Sequence, residues 1–319
     1  MKTAAKSCLG KAIVGAWLTA CAVATAGEAA AAGAWSSGTP LPSALTWSAA
    51  ALVGGKIYVV GGIDAANAAT SAVEVYDPAT SAWSAGVALP VAVWGATAAS
   101  VKNKLYVFGG YSPNASAAVY EFNSKSKKWI SRAAMLTPQG SARAVVNKNI
   151  VYVIGGNSAS QQRIATVESY DPAANSWTAQ PSLRVGKSEA SAGLVGGTIV
   201  AADGYTAGGD TGDNESLTIG GANWVALASD PTPRNGACTG AIGGNLYVAD
   251  GDNNANAPIS VVESYNLKKN KWSALPAMPH TVTDMSFVVY NKQLYCIGGG
   301  SSATPFQGSA FTYVQVYTP

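Results

Sequence analysis

Short apolar segments alternate with polar turns along nearly the whole chain after residue 33. Most of these segments are rich in β-branched and aromatic residues and are bounded by Gly, Asn, Asp or Pro, which is typical of β-strands. Four segments recur in the same order: a small-residue stretch such as SAAALV, an apolar run with a glycine doublet such as KIYVVGG, a third run such as VEVYDP, and a segment that begins near a tryptophan. The pattern therefore predicts one four-stranded antiparallel sheet per repeat.

One tryptophan marks each repeat: Trp35, Trp83, Trp129, Trp177, Trp224 and Trp272. Successive members of this series are 48, 46, 48, 47 and 48 residues apart. Repetition with a period in this range is the signature of repeat architectures such as propellers. Small residues in the first strand and glycine in the doublet suit strands that converge on a central axis, where bulkier side chains would clash.

The glycine doublet, the tyrosine and the tryptophan at fixed offsets resemble the kelch repeat. The resemblance covers Trp35 to Pro319, and it implies an all-β, six-bladed propeller with four-stranded antiparallel blades. The fourth repeat departs most, because Asp203-Gly204 replaces the doublet and Leu217 replaces the aromatic residue of the third strand. In the other repeats an aromatic residue seven positions before each tryptophan predicts a cross-strand packing pair.

The sixth repeat ends at VQVYTP, before a tryptophan strand. A segment of that type, Trp35 to Pro42, stands instead at the front of the repeats. We therefore expect the last blade to combine one N-terminal strand with three C-terminal strands, which closes the ring.

The segment before the repeats predicts export. Three lysines precede an uncharged apolar stretch that ends in small residues, so residues 1–26 form a secretory signal, 27–34 a flexible tether and 35–319 the propeller. Cleavage after Ala26 would release a periplasmic or extracellular protein. Alternatively, LTAC ending at Cys21 resembles a bacterial lipobox, which would give an outer-membrane lipoprotein. No apolar run reaches the length of roughly 20 residues that a transmembrane helix needs.

Charge and cysteine content exclude several function classes. From Gly27 onward 17 Lys and Arg balance 17 Asp and Glu, so the chain lacks the concentrated basic face that nucleic-acid binding requires. Cys238 and Cys296 lie in apolar strands of neighbouring repeats, which favours two free buried thiols, although export would permit a disulfide. His280 is the only histidine, so neither a copper site of the galactose-oxidase type nor a Ser-His-Asp triad is predicted.

The long loops between second and third strands lie on the same face as the entry to the first strands, and this face is the predicted binding face. The candidate ligand-binding residues there are Trp47, Trp94, Tyr111, Lys187, Glu189, Tyr205, Arg234 and Asp284. The two tryptophans are not required by the repeat, and an amphipathic ring at a propeller mouth can stack on a sugar or hold a partner side chain. Alternatively, both tryptophans only fill the upper channel, and the charged residues form a paired rim.

Loop acids offer oxygen atoms of the kind that calcium prefers, but they follow no EF-hand pattern. These acids are Asp210, Asp213, Glu215, Asp250 and Asp252. We assign no metal, no cofactor and no catalytic residue from the sequence. The prediction is an exported module that binds a carbohydrate or a protein segment. The alternatives are a sugar isomerase similar in architecture to the bacterial sialic-acid mutarotases, and a purely structural envelope protein.

The lipobox interpretation makes a testable prediction. If Cys21 is lipidated, Cys21→Ser should move the protein from the membrane fraction to the soluble fraction, because a multiply acylated N-terminus holds a protein firmly on a membrane. The measurement is immunoblotting of the two fractions. Equal soluble distribution of both forms, with Gly27 as the mature N-terminus, would contradict lipidation and indicate ordinary cleavage.

Overall fold

The computed structural model describes residues 33–319. The regular secondary structure in this range consists of β-strands. Within it, no helix is long and apolar enough to cross a bilayer. The predicted export signal, the tether up to residue 32 and Cys21 lie outside the described residues, so those assignments remain predictions.

Six four-stranded antiparallel sheets form the blades. Two strands precede blade 1: β1 Ala34–Ser37 and β2 Leu45–Thr46. Blade 1 and its loop contain β3 Ala49–Val53, β4 Lys56–Val60, β5 Ile63–Asp64, β6 Val73–Asp77 and β7 Ala82–Ala85. Blade 2 contains β8 Thr97–Val101, β9 Lys104–Phe108, β10 Val119–Asn123 and β11 Lys128–Ser131. Blade 3 contains β12 Arg143–Asn147, β13 Ile150–Ile154, β14 Val167–Asp171 and β15 Ser176–Gln180.

The remaining blades follow the same order. Blade 4 and its loop contain β16 Ser191–Val195, β17 Thr198–Ala202, β18 Tyr205–Thr206, β19 Gly209–Asp210, β20 Glu215–Thr218 and β21 Val225–Ala226. Blade 5 contains β22 Cys238–Ile242, β23 Asn245–Ala249, β24 Val262–Asn266 and β25 Lys271–Leu275. Blade 6 contains β26 Ser286–Tyr290, β27 Gln293–Ile297 and β28 Val314–Thr318. The first strands contact one another around a closed ring, in which β26 also meets β3. The predicted six-bladed propeller is therefore confirmed.

The N-terminal strand closes the ring as predicted. β1 pairs antiparallel with β28, which places Trp35 opposite Tyr317 with ring centroids 5.1 Å apart. The same aromatic–tryptophan pair recurs in every complete repeat except the fourth, for example between Tyr76 and Trp83 and between Tyr170 and Trp177. Each pair packs two strands of one blade against each other, so the repeated offset in the sequence corresponds to a repeated cross-strand contact.

The two cysteines of the propeller form a disulfide. Cys238 lies in β22 of blade 5 and Cys296 in β27 of blade 6, with Cα atoms 5.7 Å apart. Both residues are fully buried. The sequence interpretation favoured free thiols because both strands are apolar, and that interpretation is wrong. A strand sequence does not show which residue of the next blade faces it across the interface.

The closure makes a stability prediction. Deleting residues 35–42 should remove the outer strand of blade 6, the contact between Trp35 and Tyr317, and the buried Leu41. Losing a large apolar side chain from a core costs about 3 kcal/mol or more, so Tm should fall by about 6 °C or more. The measurement is calorimetry beside Ser37→Ala, an exposed change in β1 that should leave Tm within about 1 °C. A truncated protein with unchanged Tm would contradict the closure.

Candidate functional site

A ring of six residues with left-handed backbone surrounds the axis at the mouth of the propeller. Each lies two residues before the first strand of its blade: Trp47 (φ 54°), Gly95 (59°), Ser141 (54°), Glu189 (56°), Gly236 (64°) and Asp284 (55°). Backbone hydrogen bonds join neighbours around the ring. The amide of Gly95 donates to the carbonyl of Trp47 at 2.9 Å, and the amide of Trp47 donates to that of Asp284 at 2.9 Å. Four of the six positions carry a side chain at the mouth, and the other two are glycines.

A second set of positions widens the mouth. The residue just before each ring position forms a β-bridge with the residue that follows the doublet of the same blade. These pairs include Trp94 with Tyr111, Gly140 with Asn157, Ser188 with Tyr205, Asn235 with Asp252, and Thr283 with Gly300. In blade 2 the first residue of the doublet must be small, because a Cβ at Gly109 would overlap the carbonyl oxygen of Gln139. Three positions per repeat therefore form the wall of the mouth: the ring residue, the residue before it, and the residue that follows the doublet.

One side of the mouth is an aromatic wall. The rings of Trp94 and Tyr111 stack with centroids 4.2 Å apart, and Trp47 meets Trp94 edge-on at 5.5 Å. Phe306, from the long loop of blade 6, packs edge-on against Trp94 at 5.3 Å. Trp47 and Tyr111 are buried, whereas Trp94 is half-buried. Trp47 is buried between the pocket and the recess beside it, while Trp94 offers apolar surface to the pocket.

The opposite side of the mouth is polar. The guanidinium of Arg163 lies over the ring of Tyr205, 4.6 Å from its centroid. The Asn235 amide nitrogen donates to Asp210 Oδ1 at 2.6 Å and to Asp252 Oδ1 at 2.7 Å. Together the two walls enclose a pocket of about 240 Å³ that Glu189 also lines. The arrangement offers one apolar surface and several hydrogen-bonding groups to a ligand.

Three carboxyl groups at or just behind the mouth, those of Glu189, Asp252 and Asp284, have raised pKa values and so hold protons more tightly than usual. Burial raises the pKa of Glu189 to about 7, against the opposing influence of Arg143 and Arg163. Burial also raises the pKa of Asp252 to about 8, and the negative charge of Glu189 adds to this shift. The pKa of Asp284 is raised by burial first and then by Glu189 and Asp252. The site can therefore both donate and accept hydrogen bonds near neutral pH.

The structure brings six of the eight predicted site residues to the mouth. Trp47, Trp94, Tyr111, Glu189 and Tyr205 line the pocket, and Asp284 lines a narrower recess that adjoins it beside Trp47, Glu189 and Arg143. The polar residues of these walls that the sequence interpretation missed include Arg143, Arg163, Asn157 and Asn235. Asn157 and Asn235 occupy bridge positions, so an alignment of the six repeats at these positions would have found them.

Lys187 and Arg234 lie away from the pocket, although both were predicted to lie at the mouth. Lys187 is fully buried and its Nζ lies 3.2 Å from Glu215 Oε1. Arg234 is also fully buried, pairs with Glu263 and lies 3.5 Å from Asp230. A buried cation without a partner costs several kcal/mol, so each carboxylate holds its partner inside the blade interface. Both lie four residues before the first strand of their blade, two positions earlier than the ring residues, and their side chains are buried rather than at the mouth.

Several of the acids considered as calcium ligands have partners within the protein. Glu215 pairs with Lys187, and Asp210 and Asp252 share the amide of Asn235. In the part of the chain from 33 to 319, no group of three or more Asp, Glu, His or Cys side chains is placed to hold a metal ion. His280 stacks on Tyr313 with centroids 4.1 Å apart.

Comparison with known proteins decides the family. The family model described as the KLHDC2/KLHL20/DRC7 Kelch-repeats domain matches residues 95–299, and a Kelch motif model matches residues 48–90. The chain belongs to the kelch-repeat family. The kelch resemblance read from the doublet and the tryptophan is therefore confirmed.

Two relatives illustrate how far the kelch likeness extends. The Kelch-like protein terF of Aspergillus terreus is 27% identical over 283 residues, which are 84% of this chain and 52% of that protein. The chain thus spans about half the length of that relative. The solved structure titled "Structure of YjhT" superposes with a TM-score of 0.76 at 18% identity, covering 89% of this chain and 97% of the other. At this identity the likeness concerns the fold alone.

The buried acids of this kelch propeller predict an unusual pH dependence of stability. Asp250 is fully buried, accepts the amide of Val282 at 2.6 Å, and has a pKa raised to about 8, chiefly by burial. The folded protein binds this proton more tightly than the unfolded chain, so the stability that this group contributes is fully present below about pH 4 and is lost as pH rises through 8. Asp250→Asn keeps the acceptor and should flatten this loss.

The measurement is Tm at pH 5 and pH 8.5 for both proteins. A pKa difference of one is worth about 1.4 kcal/mol, so the wild-type Tm should fall by at least about 3 °C more than that of the variant. Asp64→Asn, in the loop of blade 1, serves as the control and should keep the wild-type pH dependence. Parallel curves for the wild type and Asp250→Asn would contradict the assignment.

Proposed function

We propose that this kelch propeller binds a carbohydrate unit in the pocket at its mouth. The observation that carries the proposal is the division of the pocket into an aromatic wall and a polar wall. A sugar ring has an apolar face and a rim of hydroxyl groups. The half-buried indole of Trp94 suits the apolar face.

The polar wall suits the hydroxyl rim. Glu189 and Asp284 present carboxyl groups, and Arg163 presents a guanidinium, so hydroxyls can both donate and accept hydrogen bonds there. The pocket volume of about 240 Å³ is at the small end for ligand sites, which favours one sugar unit over an extended protein segment. A protein segment that inserts one side chain is the alternative that the experiment below distinguishes.

Export to an oxidising compartment belongs to the same proposal. The signal-like residues 1–26 support it, and the disulfide between Cys238 and Cys296 supports it independently, because disulfides are rare in reducing compartments. A kelch protein in the periplasm or outside the cell would meet glycans in solution or on surfaces.

Glu189 favours a second candidate function, a sugar isomerase. Its pKa of about 7 is close to the value that suits a general acid–base group at neutral pH, and it lies in the pocket with two arginines nearby. A carboxyl of this kind could move a proton to or from a ring oxygen or an anomeric hydroxyl. This candidate requires turnover of the bound sugar in addition to binding.

The proposal predicts defined effects of two variants on a sugar found by glycan array. Trp94→Ala should weaken binding about 30-fold, because a stacking anchor contributes about 2 kcal/mol. Wild-type affinity should be about ninefold higher at pH 8 than at pH 6, since a carboxyl of pKa 7 that must be ionised is roughly 10% ionised at pH 6 and 90% at pH 8. Glu189→Gln should remove this pH dependence. Both effects are measured by titration calorimetry.

Trp94→Phe is the matched control, because it retains an aromatic face and should lose less than Trp94→Ala. Tm of each variant separates a lost contact from a lost fold. Sugar binding unaffected by Trp94→Ala and by Glu189→Gln would overturn the pocket assignment. Faster exchange between anomers of the bound sugar, detected by NMR and lost in Glu189→Gln, would identify the isomerase.

A further inference from the structure

A second cavity, larger than the mouth pocket, lies between blades 1 and 2. Its volume is about 410 Å³, and it is formed by β4, β6 and β7 of blade 1 with β10 and β11 of blade 2. We call it the blade 1–2 cleft and define it by Lys56, Tyr58, Val75, Phe122, Lys127 and Trp129. The Phe122 ring lies 6.3 Å from that of Tyr58 and 5.2 Å from that of Trp129. Three aromatic rings, those of Tyr58, Phe122 and Trp129, therefore form one part of the cleft, and two lysines lie beside them.

Equivalent positions in blades 3 and 5 close the interface to the preceding blade. In blade 3 the Tyr170 hydroxyl donates to Asn175 Oδ1 at 2.7 Å, and the same oxygen accepts the Ala133 amide at 3.0 Å. In blade 5 Asn270 Oδ1 accepts the Tyr265 hydroxyl at 2.7 Å and the Ala228 amide at 2.8 Å.

We call this pair of groups, the tyrosine hydroxyl and the asparagine side chain, the interface seal. Blade 2 lacks both of them. Phe122 stands in place of the tyrosine, and Lys127 stands in place of the asparagine, each at the same offset from the blade's tryptophan. Lys127 keeps the left-handed backbone of that position, with φ of 54° against 51° for Asn175. This conformation favours Asn over Lys, so the requirements of the turn do not explain the lysine.

The other side of the cleft is also altered. At the next interface the Tyr106 hydroxyl donates to Glu121 at 3.0 Å, and Glu121 pairs with Lys104 at 2.9 Å, so Tyr106 is only 1% exposed. In blade 1 the residue paired with Tyr58 is Val75, which offers no such group. Tyr58 is half-buried and presents its ring to the cleft.

The two charged side chains at the cleft are lysines, and only one of them forms an ion pair. Lys56 Nζ lies 3.0 Å from Asp77 Oδ2. Lys127 is exposed and forms no ion pair with any residue between 33 and 319. An aromatic cavity with an uncommitted ammonium at its edge suits a molecule that has an apolar body and an anionic head.

We propose that the blade 1–2 cleft is a second ligand site, separate from the mouth, which binds small amphiphilic anions. The apolar body lies among Tyr58, Phe122 and Trp129, and the anionic head pairs with Lys127. The site is independent of the function proposed for the mouth.

The test compares two fluorescent probes of similar shape. Anilinonaphthalenesulfonate carries an anionic head, and phenylnaphthylamine is its neutral analogue. Lys127→Met keeps the aliphatic chain and removes the charge, so it should weaken binding of the sulfonate about tenfold and leave the neutral probe unchanged. Equal behaviour of the two probes with this variant would overturn the role of Lys127.

A second variant tests the cavity itself. The double change Phe122→Tyr and Lys127→Asn restores the interface seal of blades 3 and 5, so it should abolish binding of both probes with a Tm equal to or above that of the wild type. Glu189→Gln, at the mouth, should bind both probes as the wild type does. Retained binding in the double variant, or binding lost in Glu189→Gln, would place the probes elsewhere and overturn the proposal.

Discussion

The rest of the structure depends on a hydrogen bond from the indole of one blade to the backbone of the preceding blade. In each blade the outer-strand tryptophan donates its Nε1 proton to a backbone carbonyl there. The pairs are Trp35 with Pro276 (3.0 Å), Trp83 with Thr39 (2.9 Å), Trp129 with Val87 (2.9 Å), Trp177 with Ala133 (2.9 Å), Trp224 with Pro181 (2.8 Å) and Trp272 with Ala228 (2.8 Å). Because the tryptophan also packs on the third strand of its own blade, one side chain joins two strands and two blades. Trp35 makes this contact to blade 5. The N-terminal strand of blade 6 thereby joins the ring of blades, although it lies at the other end of the sequence.

Once the blades are held at a constant angle, the mouth follows. Residues at the same offset before each first strand must meet around the axis, and their amides and carbonyls bond to one another. Three of the six ring positions carry large or charged side chains, Trp47, Glu189 and Asp284, in a left-handed conformation that costs a non-glycine residue of the order of 1 kcal/mol. The scaffold tolerates this because neighbouring ring bonds restrain the backbone. The same restraint directs those side chains into the pocket.

Departures from the repeat are more informative than the repeat itself. In blades 4 and 5 aspartate occupies the first position of the doublet, and Asp203 and Asp250 enter a buried set of charges with Lys187 and Arg234. The acids exceed the cations in this interior, so burial keeps some carboxyls protonated. In blade 2, Phe122 and Lys127 leave open an interface that Tyr and Asn close in blades 3 and 5. Both departures alter an interface between blades and leave the strands intact, because strand pairing uses the backbone alone.

The sequence by itself determined the features that repeat. Local patterns that recur six times predict the strand order, the blade number, the closure by the Trp35 strand and the face that carries the mouth. An error in interpreting one repeat is corrected by the others. The aromatic half of the site was also predictable, since Trp47 and Trp94 exceed what the repeat needs. Tertiary structure decided every contact that crosses from one blade to the next. The disulfide between Cys238 and Cys296 and the stacking of Arg163 on Tyr205 are such contacts. The burial of Arg234 against Glu263, within blade 5, was likewise decided by tertiary structure. All three depend on distances between side chains far apart in the chain, and the repeat period does not specify those distances.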